Sequence, residues 1–193
     1  MRNEILSQIQ NIQPWDDLEK NHIQFVTDWI LSGADLCRIQ KPNIPNIHLV
    51  SYFVLIDFIH MKILLGEHKK ANLWLPSGGH VEPDELPLDT VKRECREELR
   101  MDPDFFSSEP FFITVAPINE KGILHQDVSL WYLLQGDSKI PIAFCEEEYR
   151  SVQWFDIHNI PSSNQSDPNI ERFRDKLLVR AMQLAPVPVA CSA

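Results

Sequence analysis

Apolar residues near the start of the chain recur at three- and four-residue intervals. The spacing predicts amphipathic helices over residues 5–12 and 18–31. In the second, Leu18, His22, Phe25, Val26, Trp29 and Ile30 share a side, Asp16 or Asp17 is placed to cap the start, and Gly33 reads as the stop. Pro42 and Pro45 bracket a short extended connection, after which the pattern changes. Residues 48–59 are rich in β-branched and aromatic side chains and residues 62–66 continue in kind, which predicts two paired strands. A polar loop over 67–72, the run Leu73-Trp74-Leu75-Pro76 and an adjacent glycine pair follow. A helix is predicted over 86–99 and strands over 111–116, 128–135 and 151–155. A last helix opens at Asp167-Pro168, a capping residue with proline at the first helical position.

Strands alternating with single helices indicate an α/β (α+β) fold, a sheet between helices. The expected division is a helical extension over 1–45, one domain over 46–184 and a frayed tail over 185–193. The extension is amphipathic and rich in Gln and Asn. It is expected either to pack as a lid or to build a homodimer interface, and its composition does not choose between them.

Composition narrows the function classes. With 18 basic and 28 acidic side chains among 193 residues the formal charge is -10, a poor match for general nucleic-acid binding, which depends on clustered Lys and Arg. No stretch approaches the roughly 20 apolar residues of a membrane span, and the start has no apolar core of a signal peptide. Cys37, Cys95, Cys145 and Cys191 lie far apart with no CxxC pair. That spacing fits a reducing, cytoplasmic setting and argues against a zinc ribbon or finger, leaving open a site assembled in three dimensions.

The chemistry concentrates in residues 78–101, GGHVEPDELPLDTVKRECREELRM. Seven of the 28 acids lie within residues 82–98 against three bases, so that stretch alone contributes -4. Gly78-Gly79 is expected to turn tightly and to offer a carbonyl or amide at close range. Glu94, Glu97 and Glu98 have i, i+3, i+4 spacing, which places three carboxylates within roughly 100° of a helix face. Leu88, Val91, Cys95 and Leu99 form a separate apolar stripe that can be buried while the acids are presented elsewhere. Like charges this close repel unless a cation sits among them, and a hard divalent ion, Mg²⁺ above all, takes oxygen ligands of this kind. Lys92, Arg93 and Arg96 supply part of the compensation.

The same stretch resembles the Nudix box, G-x5-E-x7-R-E-U-x-E-E-x-G-U with U apolar. Gly79, Glu85, Arg93, Glu94, Glu97 and Glu98 match six of its seven fixed positions, with Cys95 and Met101 at apolar ones. Arg100 stands where the family has its second glycine, and Asp102-Pro103 is expected to stop the helix in its place. The resemblance implies a mixed sheet between helices and hydrolysis of a phosphoanhydride in a nucleoside diphosphate linked to another moiety. It implies Mg²⁺, or Mn²⁺, held by Glu97 and Glu98 with the Gly78 carbonyl, and Glu94 as a further ligand or the base that orients water. Glu85 and Arg93 correspond to a structural pair holding loop to helix beside Gly79. A further carboxylate is expected from Glu146-Glu147-Glu148, and Glu148, six residues before Trp154, is the choice.

Weaker signals lie outside the box. His125 and Asp127, two apart on a predicted strand, point to the same face and are candidates for lining a cleft, as is His80 after the glycine pair. Trp74 and Phe53 are candidates for stacking a base, with core packing the alternative. Pro117, 16 residues past the box, resembles a marker of ADP-ribose-type members but also fits a strand end. The substrate is therefore a small nucleotide or nucleotide sugar of unspecified kind. Two rival readings remain. One is an isopentenyl-diphosphate-isomerase-like enzyme, which needs a reactive Cys and a His-rich metal site; the other is a non-catalytic regulatory module, which loss of the three glutamates would favour.

Overall fold

The apolar run after Pro45 becomes a strand buried on both sides. In a computed structural model that describes residues 1–40, 44–120 and 122–184, it forms β1 (Ile47–Asp57), preceded by α1 (Arg2–Asn11) and α2 (Asp17–Leu31). Next come β2 (Lys62–His68), β3 (Leu73–Leu75), β4 (Ser77–His80) and α3 (Pro87–Leu99). The chain continues with β5 (Phe112–Glu120), β6 (Ile123–Gln135), β7 (Tyr149–Asp156) and α4 (Ile170–Leu184). The strands make a mixed sheet in the order β3-β2-β1-β6-β5, with β4 on β1 and β7 on β2. Among the described strands only β1 and β6 pair in parallel, in register from Ile47 opposite Gln126 to Ile56 opposite Gln135.

Strand alternation sorts the side chains into two cores. Leu49, Phe53 and Leu55 of β1 join Val128, Leu130 and Tyr132 of β6 against Val91, Cys95 and Leu99 of α3. Val54 and Ile56 join Trp131 and Leu133 against Ile170, Phe173 and Leu177 of α4. A strand covered by helices on both faces reads as a near-continuous apolar run, as β1 does.

The extension is part of the first core, where Ile5, Ile9, Val26 and Ile30 are buried. Asp16 is the residue that caps α2, accepting from the Glu19 amide at 2.8 Å. Glu19, fully buried, accepts from Lys176 Nζ of α4 at 2.7 Å and from the Ile113 amide of β5 at 3.3 Å. Burial raises the Glu19 carboxyl and lowers the Lys176 ammonium, so their mutual contact offsets a desolvation cost borne by both. Asp16 also pairs with Arg172 at 2.6 Å, fastening α2 to α4.

Several local expectations change. The first strand ends at Asp57, whose carboxylate accepts from the His60 and Ser138 amides and shapes the following turn. Gly78-Gly79 lies in a strand, with Gly79 opposite Ser51 and Gly78 opposite Tyr52, because the pair is needed for close approach rather than reversal. Helix α3 stops at Leu99, with Arg100 itself in the left-handed conformation (φ 54°, ψ 30°), so the stop comes before Asp102-Pro103. The last helix begins at Ile170, after a turn in which Asp167 accepts from the Asn169 amide at 2.7 Å. Pro42 and residues 185–193 lie outside the described residues. No helix among the described residues is long and apolar enough to cross a membrane.

Candidate active site

The first half of β1 pairs with β4, the second half with β2, and β2 carries β7. Where these strands part, beside α3, lies a cavity of about 800 Å³. Gly78, Gly79, His80, Arg93, Glu94, Glu98, Asp127, Glu148 and Tyr149 contribute to its lining.

Helix α3 buries its Val91, Cys95 and Leu99 stripe, and this orientation distributes the three glutamates unequally. Glu98 is turned inward, only 7% exposed, and its Oε2 accepts from the Gly78 amide and the Tyr149 hydroxyl, each at 2.9 Å. Burial, reinforced by the nearby Glu94 charge, pushes its carboxyl up to about 8 despite those two donors. Glu94 is half-buried, with its carboxyl also raised by burial while Arg93 pulls the other way. Glu97 is turned to solvent, its side chain 61% exposed and 3.7 Å from Arg93, and it is not among the described lining residues.

Arg93 organises the loop before the helix. Its Nε and Nη2 donate to the two oxygens of Glu85, each at 3.0 Å, its Nη1 to Glu94 Oε1 at 2.6 Å and its Nη2 to the His80 carbonyl at 3.2 Å. Glu85 also accepts from the Thr90 hydroxyl at 2.7 Å. The fork geometry fixes β4, the loop and α3 as one unit, and charge-assisted bonding holds the guanidinium above its usual value. A Cβ on Gly79 would sit 2.0 Å from Glu94 Oε1, and one on Gly78 would lie 2.1 Å from the Ser51 carbonyl oxygen. Glycine at 78 admits the close approach of β4 to the β1 backbone at a φ of 144°, and glycine at 79 leaves room for the Glu94 carboxylate.

Across the cavity, Glu148 lies 3.5 Å from His68 Nε2 and 3.9 Å from Lys70 Nζ. Glu146 and Glu147 are not among the described lining residues. Tyr149 follows Glu148 directly. Its ring occupies space that a Cβ on Gly66 would fill at 2.3 Å, and its phenol is raised by burial and the Glu98 charge. Sequence reasoning missed Tyr149 and Gly66, since the only signal was adjacency to the acidic turn.

His125 and Asp127 come together as their spacing implied, with a partner that the sequence had not marked. His48 Nε2 lies 3.1 Å and His125 Nε2 3.3 Å from Asp127 Oδ1. His80 is next to them, its ring 4.8 Å from that of His48, and burial pushes its imidazole down to about 4. Arg38, from the segment after α2, also lines the cavity.

Other candidates fall elsewhere. Phe53 is a core residue and Trp74 stands edge-on to Phe155, so neither is among the described lining residues. Pro117 sits on the edge strand β5 opposite Gln126. Cys37 and Cys95 are buried, with thiols pushed up to about 11 and about 12 chiefly by desolvation. Among the described residues no cysteine lines the cavity, so the reactive thiol that an isomerase needs is not found there.

Residues 48–177 match the family model described as NUDIX domain. Among solved structures, the chain is similar to a hydrolase of the NUDIX family from Clostridium perfringens at 19% identity, covering 68% of this chain and 97% of that one with a TM-score of 0.51. A MutT NUDIX hydrolase from Burkholderia pseudomallei is 18% identical over 68% of this chain and 98% of that one, with a TM-score of 0.54. The dihydroneopterin triphosphate pyrophosphohydrolase of E. coli is 17% identical over 66% and 94%, with a TM-score of 0.51. At these identities the likeness establishes the fold. No curated protein matches the chain in sequence.

Proposed function

The chain belongs to the NUDIX family, and from that premise we propose that it is a pyrophosphohydrolase, cleaving a phosphoanhydride in a nucleoside diphosphate linked to another moiety. The observation that carries this reading is Glu98, a buried carboxyl raised to about 8 beside a second carboxyl, Glu94, at the wall of a large polar cavity. Such a pair of oxygen donors is short of positive charge, and a hard dication is the natural complement.

Glu94, Glu97 and Glu98, with the Gly78 carbonyl, are the groups that would hold Mg²⁺ or Mn²⁺. When bound, the ion neutralises charge on the phosphate oxygens and polarises a water. Arg93 fixes the direction of Glu94, holds the following loop through Glu85 and grips β4 at the His80 carbonyl. Tyr149 and the Gly78 amide fix Glu98 Oε2 and leave its other oxygen for the ion. Arg38 and Lys70, also in the lining, complement an anionic diphosphate. Glu148 lies outside the Arg93 cage and is assigned as the carboxylate that accepts the proton of the attacking water.

The test is a panel of nucleoside triphosphates, nucleoside diphosphate sugars and ADP-ribose incubated with Mg²⁺ and the protein, with products resolved as phosphate, pyrophosphate or monophosphate. Turnover of at least one compound, reduced at least a hundredfold in both Glu97→Gln and Glu98→Gln, is expected, on the order seen when a transition-state charge contact is removed. No turnover by the wild type, or turnover unchanged in both variants, overturns the reading. A catalytically silent module is disfavoured by the retention of Glu94, Glu97 and Glu98 together.

A further inference from the structure

His48, His125 and Asp127 have no part in the hydrolysis just described, yet they are assembled with care. His48 and Asp127 are register partners on β1 and β6, and His125 is two residues before Asp127, so all three project from one side of the sheet. One donor atom from each lies within 4.8 Å of the others. The His48 and His125 rings stack at 5.2 Å.

The proton positions expose a conflict. His48 Nδ1 lies 3.1 Å from the Pro45 carbonyl, which can only accept, so Nδ1 carries the hydrogen and a neutral ring presents the Nε2 lone pair. That lone pair faces Asp127 Oδ1, also an acceptor, at 3.1 Å. Neither atom has a hydrogen-bond partner, and both are buried, as are the unpartnered His125 Nδ1 and His80 Nε2. Buried lone pairs placed face to face are costly unless a cation lies between them. A hydrogen shared between His48 Nε2 and Asp127 Oδ1 would pair those two atoms and still leave His125 Nδ1 and His80 Nε2 without partners.

We infer that His48, His125 and Asp127 form a second metal site, built for a borderline transition-metal dication of the zinc class. Ligands at 2.0–2.2 Å in a tetrahedron stand about 3.3 Å apart; the His48 and His125 nitrogens match this on the two edges to Asp127 Oδ1, at 3.1 and 3.3 Å, and the edge between the imidazoles, within 4.8 Å, is the one that would close on a bound ion. Two imidazoles and one carboxylate select for zinc, cobalt or iron(II) over magnesium, whereas the all-oxygen glutamate cluster has the reverse preference. The Pro45 carbonyl supplies the outer hydrogen bond that fixes a ligating imidazole. Asp127 and His80 line the large cavity, so the remaining coordination position opens toward it, for water or an oxygen of a bound ligand. His80 follows Gly78 by two residues on β4, which places this site along the same cavity as the glutamates. It stands whether or not the hydrolase reading does.

The test uses the full-length protein, stripped with a chelator and titrated with Co²⁺ and then Zn²⁺ in excess Mg²⁺. One equivalent of Co²⁺ is expected, with the visible absorption of a low-symmetry site, displaced by Zn²⁺. Asp127→Asn and His125→Gln are expected to weaken binding about a hundredfold, while Glu98→Gln leaves it unchanged. X-ray absorption at the zinc edge of the wild-type protein, which needs no variant to fold, is expected to show two imidazoles and no sulfur. The inference is overturned by absence of binding in excess Mg²⁺, by binding retained in both Asp127→Asn and His125→Gln, by loss in Glu98→Gln, or by fewer than two imidazoles at the zinc.

Discussion

Replacing Glu98 with glutamine removes a charge from the protein interior while keeping the acceptor oxygen for the Gly78 amide and the Tyr149 hydroxyl. In the metal-free fold the carboxyl is raised from 4.5 to about 8. A group raised on folding contributes stability that is complete below its unfolded value and is lost as pH climbs through the folded one. Wild-type stability is therefore predicted to decline between pH 4.5 and pH 8 on this account. Linkage at pH 7 gives about 3 kcal/mol for such a shift, and local relaxation and water entry reduce that to about 2 kcal/mol. For a chain of this size the corresponding rise in Tm is about 4–8 °C. The assay is calorimetry in chelator at several pH values, then again with Mg²⁺. Glu98→Gln is expected to melt higher than wild type at pH 8 without metal, to show a flatter pH dependence and to gain less from Mg²⁺. A lower metal-free Tm for Glu98→Gln, or an equal gain from Mg²⁺ in both proteins, would refute the reasoning.

Arg100 holds a left-handed conformation that costs a non-glycine residue roughly 1 kcal/mol, so Arg100→Gly is expected to raise Tm by about 2–4 °C with hydrolysis unchanged, checked by calorimetry and by the substrate panel. Lys176→Ala strands the buried Glu19 charge and is expected to cost about 3–5 kcal/mol in denaturant unfolding, whereas replacing both members with apolar residues of similar volume costs much less. Glu148→Gln is expected to lower kcat by about a hundredfold or more with little change in KM; a change in KM alone would contradict its assignment to proton transfer.

The helix and its surroundings show what a sequence can and cannot convey. The three glutamates were legible because helical periodicity relates residues that are close along the chain, whereas Glu85 and Arg93 were marked by the resemblance alone; in the fold Arg93 Nε donates to Glu85 at 3.0 Å. The same periodicity places Glu94, Glu97 and Glu98 on one side but does not say that Tyr149 would cover Glu98 while Glu97 stays exposed, since that depends on β7 docking on β2. His48 was hidden for the same reason. Its relation to Asp127 is set by a parallel register joining strands far apart in sequence. Arg100 was read as handing termination to Asp102-Pro103, but the local hydrogen bonding of the helix end outweighs the cost of a left-handed arginine. The extension's helices were legible, and its anchoring was not, because the Glu19–Lys176 contact joins the two ends of the fold.

The most direct measurement is hydrolysis of the best panel substrate with Mg²⁺ in oxygen-labelled water, reading the label in each product by mass spectrometry. Attack of water on phosphorus at the glutamate cluster predicts one labelled oxygen on a single phosphoryl product per turnover, with formation of that product suppressed in Glu98→Gln. Label appearing on a carbon-bound oxygen instead of a phosphoryl oxygen, or the same labelled product formed at the wild-type rate by Glu98→Gln, would contradict it.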